Sequence, residues 1–312
     1  MISLRYHAVS LAAVFLALAL GVLLGSTSVS QRLLSSVGED RDALHGQVEQ
    51  LRTERAELKG QLDTADRFGS AIAAPAVRGQ LDGKTVVLVS DAGADPGQRD
   101  AVKQVLSSSG ANVTGDLQLT EGFTSPDRAD QLRQVVTELL PAGAQLPDSA
   151  DPGTLAGGLF GSLVLQDPRT GQPQASDEER AAAMSGLTAG GFATVAQDVR
   201  PAQAVVVLTG GRPAGEKAQD QAATLARFAT QLDRSGGGAV LAGTAGSAEG
   251  AGPIGFVRAD NAIASVLSTV DNADAGAGRV ALVMALREQL DQQAGHYGSA
   301  SNAQGPLPSS RG

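Results

Sequence analysis

Cysteine and tryptophan are both absent from the 312 residues of the chain. Without cysteine the protein can form no disulfide, and it offers no thiolate nucleophile and no cysteine ligand for zinc or copper. Aromatic residues make up only 3% of the chain, whereas hydrophobic residues of all kinds make up 42%. The core must therefore be built from alanine, valine and leucine.

Clusters of lysine and arginine are also missing, and the net charge is −9 with an isoelectric point of about 4.8. A nucleic-acid-binding surface needs a basic patch. The sequence therefore predicts no nucleic-acid partner.

Motifs for catalysis or cofactor binding are scarce. No Walker A sequence, no G-x-G-x-x-G after the first strand and no G-x-S-x-G is present. The histidines are His7, His45 and His296, of which only His296 lies where a Ser–His–Asp triad could use it. Asp271 and Asp274 are expected in a solvated loop. We predict a non-enzymatic protein without a cofactor.

Ligands suited to copper are few. Copper favours thiolate, thioether and imidazole ligands, and the chain has no cysteine, three methionines and three scattered histidines. The sequence leaves the metal ligands unknown.

Residues 1–30 are predicted to form a membrane anchor. Ala8 to Gly25 is an uncharged run, and 18 residues of helix span about 27 Å, enough for a bilayer core. The small residues Ser26 to Ser28 leave a cleaved signal peptide as the alternative. The short N-terminal flank favours export of the main domain. The sequence leaves open whether the anchor lies in the inner or an outer membrane.

Residues 31–70 carry five consecutive heptads, which predict a coiled coil. The predicted seam consists of Leu34, Val37, Arg41, Leu44, Val48, Leu51, Arg55, Leu58 and Leu62. The pattern favours a parallel homodimer, in which Glu54 would face Lys59 of the second chain. Arg41 and Arg55 either snorkel out of a tolerant seam or leave it open to the helix of another coiled-coil protein.

The remaining chain is predicted to form an α/β domain. Ala73 to Asp82 is expected to break the helix within a linker at 71–83, and short apolar strands then alternate with amphipathic helices over 84–297. Residues 298–312 are expected to form a disordered tail. The fold class is α/β: an N-terminal transmembrane helix and coiled coil, followed by a doubly wound, Rossmann-like or flavodoxin-like parallel-sheet domain.

Several motifs together resemble a known family. The opening MISLRYHAVSLAAVFLALALGVLLGS, the coil, the GKTVVLVS strand, the STVDNADAGAG loop and the late GHYG are similar to the actinobacterial copper transport outer membrane protein family (MctB-like). The resemblance spans nearly the whole chain and implies a channel that keeps cellular copper low. The chain is also similar to a SteB-type cell-separation protein, which implies a membrane-tethered regulator of peptidoglycan hydrolases.

Overall fold

The chain comprises two compact units. The computed structural model describes the backbone of residues 4–308 and, apart from residues 4, 5, 26–40, 42, 43, 196 and 197, their side chains. The units comprise residues 1–64 and 65–312. Helix α1, Leu4–Val77, begins in the first unit and ends in the second.

The first unit contains one candidate membrane span among the described residues. Tyr6–Gly25 is long and apolar enough to cross a bilayer, and none of its length is buried against protein. Twenty residues of helix measure about 30 Å, the thickness of a hydrocarbon core. The predicted N-terminal apolar helix is therefore confirmed.

The last turns of α1 belong to the second unit. The helix continues through Pro75 and ends at Val77, within the segment Ala73 to Asp82 where the sequence predicts a break. Ala73 and Val77 are buried in the core of the α/β unit, and this packing offsets the hydrogen bond that proline removes. Gly79, at a φ of +78°, then turns the chain away from the axis of α1.

The second unit is built on one seven-stranded sheet in the order β3-β2-β1-β4-β5-β6-β7. The strands are β1 (Thr85–Ser90), β2 (Asn112–Leu119), β3 (Ala193–Gln197), β4 (Ala204–Leu208), β5 (Ala239–Ala242), β6 (Ser268–Val270) and β7 (His296–Tyr297). All neighbours pair in parallel except β2 and β3. The order reverses between β1 and β4, as in a doubly wound fold. The predicted α/β class of this domain is therefore confirmed, whereas the coiled coil stays a prediction.

Strand β3 is the antiparallel exception, and the position of the preceding helix explains it. Helix α6 (Asp177–Ala189) ends beside the carboxyl end of β2, where the Thr120 hydroxyl donates to the Gly191 carbonyl at 2.6 Å. Strand β3 starts at that end and must run back along β2 in the opposite direction. The length of the α6–β3 turn, rather than the strand sequence, sets the direction.

The helices cover both faces of the sheet. They are α2 (Pro96–Ser108), α3 (Glu121–Thr124), α4 (Ala129–Glu138), α5 (Pro152–Val164), α6 (Asp177–Ala189), α7 (Ala218–Ser235), α8 (Pro253–Ala259), α9 (Asn261–Ala264) and α10 (Gly276–Leu290), with a 3₁₀ turn at Pro126–Arg128. Ser176 and Glu179 form a capping box at the start of α6, a pattern that the sequence S-x-x-E indicates by itself.

Two hydrophobic clusters form the core, one on each face of the sheet. In the larger cluster, Phe123, Phe160 and Phe228 pack edge to face with ring centroids 4.9–5.9 Å apart. Such aromatic pairs contribute about 0.5–1.5 kcal/mol beyond their buried area. Three of the few aromatic side chains are thus concentrated at one point between α3, α5 and α7.

Residues 298–308 differ from the predicted disordered tail. The amide of Gly298 donates to the carbonyl of Gly305 at 3.0 Å, and Asn302 donates its side-chain amide to the Ala248 carbonyl at 2.9 Å. These hydrogen bonds hold the segment against the β7 edge of the sheet. The polar composition alone suggests disorder. The hydrogen bonds that order the segment are made to residues farther away in the chain, so the local sequence does not reveal them.

We predict that Leu232→Ala lowers the free energy of unfolding by about 2–5 kcal/mol, because it opens a cavity in the larger cluster. Leu232 is fully buried there. The matched control is Leu307→Ala, at a side chain 40% exposed, where the loss should stay within about 1 kcal/mol. Chemical denaturation of the detergent-solubilised chain measures both; equal losses would contradict the assigned core.

Candidate functional site

The predicted seam of α1 is exposed to solvent in the single chain. Leu51, Leu58 and Leu62 are 63%, 59% and 70% exposed, and Leu44 and Val48 are 61% and 42% exposed. Arg41 and Arg55 are also exposed. The side chains of Leu34 and Val37 lie outside the described residues. We refer to Leu44, Val48, Leu51, Arg55, Leu58 and Leu62 as the seam.

The seam leaves much apolar surface in water. Burying one leucine or valine side chain completely stabilises a protein by about 1.5–3 kcal/mol. Five such side chains at a and d positions therefore supply a substantial driving force for association with another helix. The described helix brings these residues to one stripe, as the heptad pattern requires.

A second candidate site lies at the carboxyl ends of β1 and β4, where the strand order reverses. A cleft of about 340 Å³ is lined there by Asp91, Glu121, Arg212 and the loop glycines. The Thr209 hydroxyl and the Gly93 amide donate to the Asp91 carboxylate at 2.6 and 2.9 Å. Burial raises the pKa of Asp91, although these hydrogen bonds act in the opposite direction.

The glycine loops around this cleft touch each other. A Cβ on Gly210 would lie 2.3 Å from the carbonyl oxygen of Gly93, so the two loops can approach this closely only because residue 210 has no side chain. Gly210 therefore permits the close contact of the two loops.

Acidic side chains of the chain itself occupy two helix N-termini that face this end of the sheet. Asp95 accepts from the amides of Gly97 and Gln98 at the start of α2. Asp66 of α1 accepts from the Gly276 amide at the start of α10, at 2.6 Å. Helix N-termini are where doubly wound folds commonly hold phosphate, and here carboxylates already satisfy those amides.

The two most distinctive sequence motifs meet in a buried ionic cluster. Arg258 on α8 forms an ion pair with Asp271 of the TVDN motif at 2.7 Å, and both side chains are only 3% exposed. The guanidinium also donates to the Thr269 hydroxyl, the Tyr297 carbonyl and the Asn302 side chain at 2.8–3.0 Å. The expected solvated loop is therefore wrong for Asp271, whereas Asp274 is exposed.

Asp271 also anchors the C-terminal segment. Its second carboxylate oxygen accepts from the amides of Ser299 and Ala300 at 2.8 and 3.2 Å. Gly298 of the GHYG motif adopts a φ of +136°, and a Cβ there would lie 2.3 Å from the carboxyl group. The glycine is needed because the backbone passes directly over Asp271.

His296, the candidate triad residue, lies within the same cluster. Its Nδ1 is 2.9 Å from the Thr269 hydroxyl, and the side chain is buried between β6 and β7. Burial, together with the positive charge of Arg258, lowers the pKa of His296. The structure brings His296 and Asp271 into one cluster, but through Thr269 and Arg258 rather than by direct contact.

Metal-ligating side chains are dispersed over the described part of the chain. Within it, no three side chains of histidine, cysteine, aspartate or glutamate lie close enough to hold a metal ion.

A family model described as "Copper transport outer membrane protein, MctB" matches residues 1–308. The chain belongs to this family. It is 38% identical to the copper transporter MctB of Mycobacterium tuberculosis over 97% of this chain and 98% of that protein. It is 36% identical to the copper transporter MctB of Mycobacterium leprae over the same shares of the two chains.

Membership of the family identifies an envelope protein associated with a membrane and confirms the resemblance seen in the sequence. The sequence revealed the two motifs but not their meeting point. Arg258 belongs to no recognisable sequence motif. Strands β6 and β7 have only three and two residues, too few to be predicted from a hydrophobic pattern. The unusual TVDN and GHYG motifs were the available sequence signal that these segments form a cluster.

We predict that Asp271→Asn destabilises the protein by about 3–5 kcal/mol, because it leaves the buried Arg258 guanidinium without its charged partner. The control is Asp127→Asn, which breaks the ion pair of Asp127 with Lys217, whose side chains are 71% and 51% exposed. That change should cost no more than about 1 kcal/mol. Denaturant titration of full-length protein measures both, and a neutral Asp271→Asn would refute a stabilising role of the cluster.

Proposed function

We propose that the protein is a membrane-anchored, non-enzymatic envelope protein that takes part in copper homeostasis and export across the envelope. The observation that carries the proposal is the similarity over nearly the whole chain to proteins named copper transporter MctB. The candidate span at Tyr6–Gly25 supports an anchor. The short N-terminal flank of this span favours an α/β unit outside the cytoplasm.

Self-association through the seam is the second part of the proposal. Two chains rooted in one membrane meet in parallel, which brings the d-position leucines face to face. Glu54 and Lys59 then have complementary charges across the interface. A parallel homodimer covers the apolar side chains that are exposed in the single chain.

A second candidate function is a scaffold or regulator of cell separation and peptidoglycan hydrolase activity. The exposed seam favours it, because Leu44 to Leu62 offer nearly three heptads of apolar surface to the helix of another protein. In this function the arginines at a positions would meet acidic side chains of that protein.

We predict that cells without this protein hold more copper than the parent strain when grown with added copper. Elemental analysis measures the copper, and zinc in the same samples is the control. Full-length protein supplied in trans should restore the parental content. Unchanged copper together with chains of unseparated cells would reject the copper role and favour the cell-separation function.

We predict that Leu51→Cys forms a disulfide-linked dimer under mild oxidation in membranes. In a parallel coil, Leu51 meets its counterpart at a d position, and the natural chain contributes no other thiol. Thr53→Cys, two residues along the same exposed helix but outside the seam, is the matched control and should stay monomeric. Equal cross-linking of the two variants, or none of either, would reject the parallel homodimer.

A further inference from the structure

Strand β3 forms an open edge of the sheet. It pairs with β2 on one side and is the last strand in the order on the other. Edge strands are usually protected by charged residues, proline or a covering segment, because their free backbone groups attract other strands. The β3 sequence, ATVAQ, contains no charge and no proline. Val195 is 37% exposed, a large hydrophobic side chain left in water on this strand.

A groove of about 1050 Å³ runs between this edge strand and α6. One face of α6 forms a wall, with Arg180, Met184 and Thr188 at helical spacing. Val195 and Val199 line the opposite wall. A groove bounded by a helix and an open strand edge is the arrangement in which domains of several folds bind an extended peptide as an added strand.

The guanidinium of Arg180 has a hydrogen-bond donor that the fold leaves without a partner in the part of the chain that the structure describes. The residue lines the groove and is only 7% exposed. Its Nη2 donates to Asp177, while its Nη1 is buried and has no hydrogen-bond acceptor among the described residues. A buried donor without a partner costs about 1–3 kcal/mol. The side chain of Asp177 is 94% exposed, so the fold holds this partner only loosely.

We propose that the groove between β3 and α6 binds an extended peptide segment of a partner protein, which adds to β3 as a further strand and places a carboxylate side chain on Arg180. A carboxylate matches the two parallel donors of a guanidinium better than any other side chain. Aliphatic side chains at alternate peptide positions reach Val195 and Met184. This site is separate from the seam and independent of the copper role.

The test uses full-length protein in nanodiscs and a library of acetylated, amidated octapeptides with alternating aliphatic and polar positions. We expect selection for peptides with a central glutamate. Replacing that glutamate by glutamine, or Arg180 by methionine, should weaken binding by about tenfold or more, which corresponds to about 1.4 kcal/mol. Val195→Lys should also weaken binding, because it places a charge against the aliphatic side chains.

The matched control is Arg133→Met. Arg133 pairs with Asp130 on α4 at the same spacing as Arg180 with Asp177, but lies outside the groove. This variant should bind peptide like the unaltered protein. Bound peptide should also slow hydrogen exchange of the β3 amides, which a small molecule in the groove would leave unprotected.

Three outcomes would overturn the proposal. The first is a library without selected peptides, and the second is equal binding by Arg180→Met and the unaltered protein. The third is a disulfide-linked dimer of Val195→Cys, which would show that a second copy of the chain covers the strand edge. Denaturation of Arg180→Met should show no loss of stability, since an apolar side chain of similar length replaces an incompletely bonded one.

Discussion

The buried ion pair of Arg258 and Asp271 holds together the half of the sheet that has the shortest strands. Strands β6 and β7 have three and two residues, too few for backbone pairing alone to fix their register. The guanidinium bonds to both strands and to the segment that follows them, while the carboxylate accepts from the amides of that segment. Removing either charge would leave the other buried without its charged partner.

Long-range pairing of this kind marks the limit of what the sequence reveals. The apolar N-terminal helix, the strands β1, β4 and β5 and the capping box at Ser176 follow from local patterns, because hydrophobic period and capping chemistry act over a few residues. The direction of β3 does not, since it depends on where α6 ends. Nor does the burial of Asp271, which depends on an arginine 13 residues away in sequence.

The candidate sites divide in the same way. Heptad spacing alone predicts the apolar stripe of α1, and the single chain leaves this stripe exposed together with the other residues of that stretch. The groove beside β3 could not be foreseen, because it is formed by α6 and by an edge position that only the complete strand order defines. Both surfaces expose aliphatic side chains, as expected for a chain whose aromatic content is only 3%.

The contact between Asp66 and the first turn of α10 has a practical consequence for recombinant work. A soluble fragment that starts at residue 84, where the first strand begins in the sequence pattern, loses the carboxylate on the Gly276 amide and the buried Ala73 and Val77. Gly276 itself would then face water, although a Cβ there has no room beside Ser70 in the intact chain. A fragment that begins at Ala65 keeps every one of these contacts and still omits the apolar span.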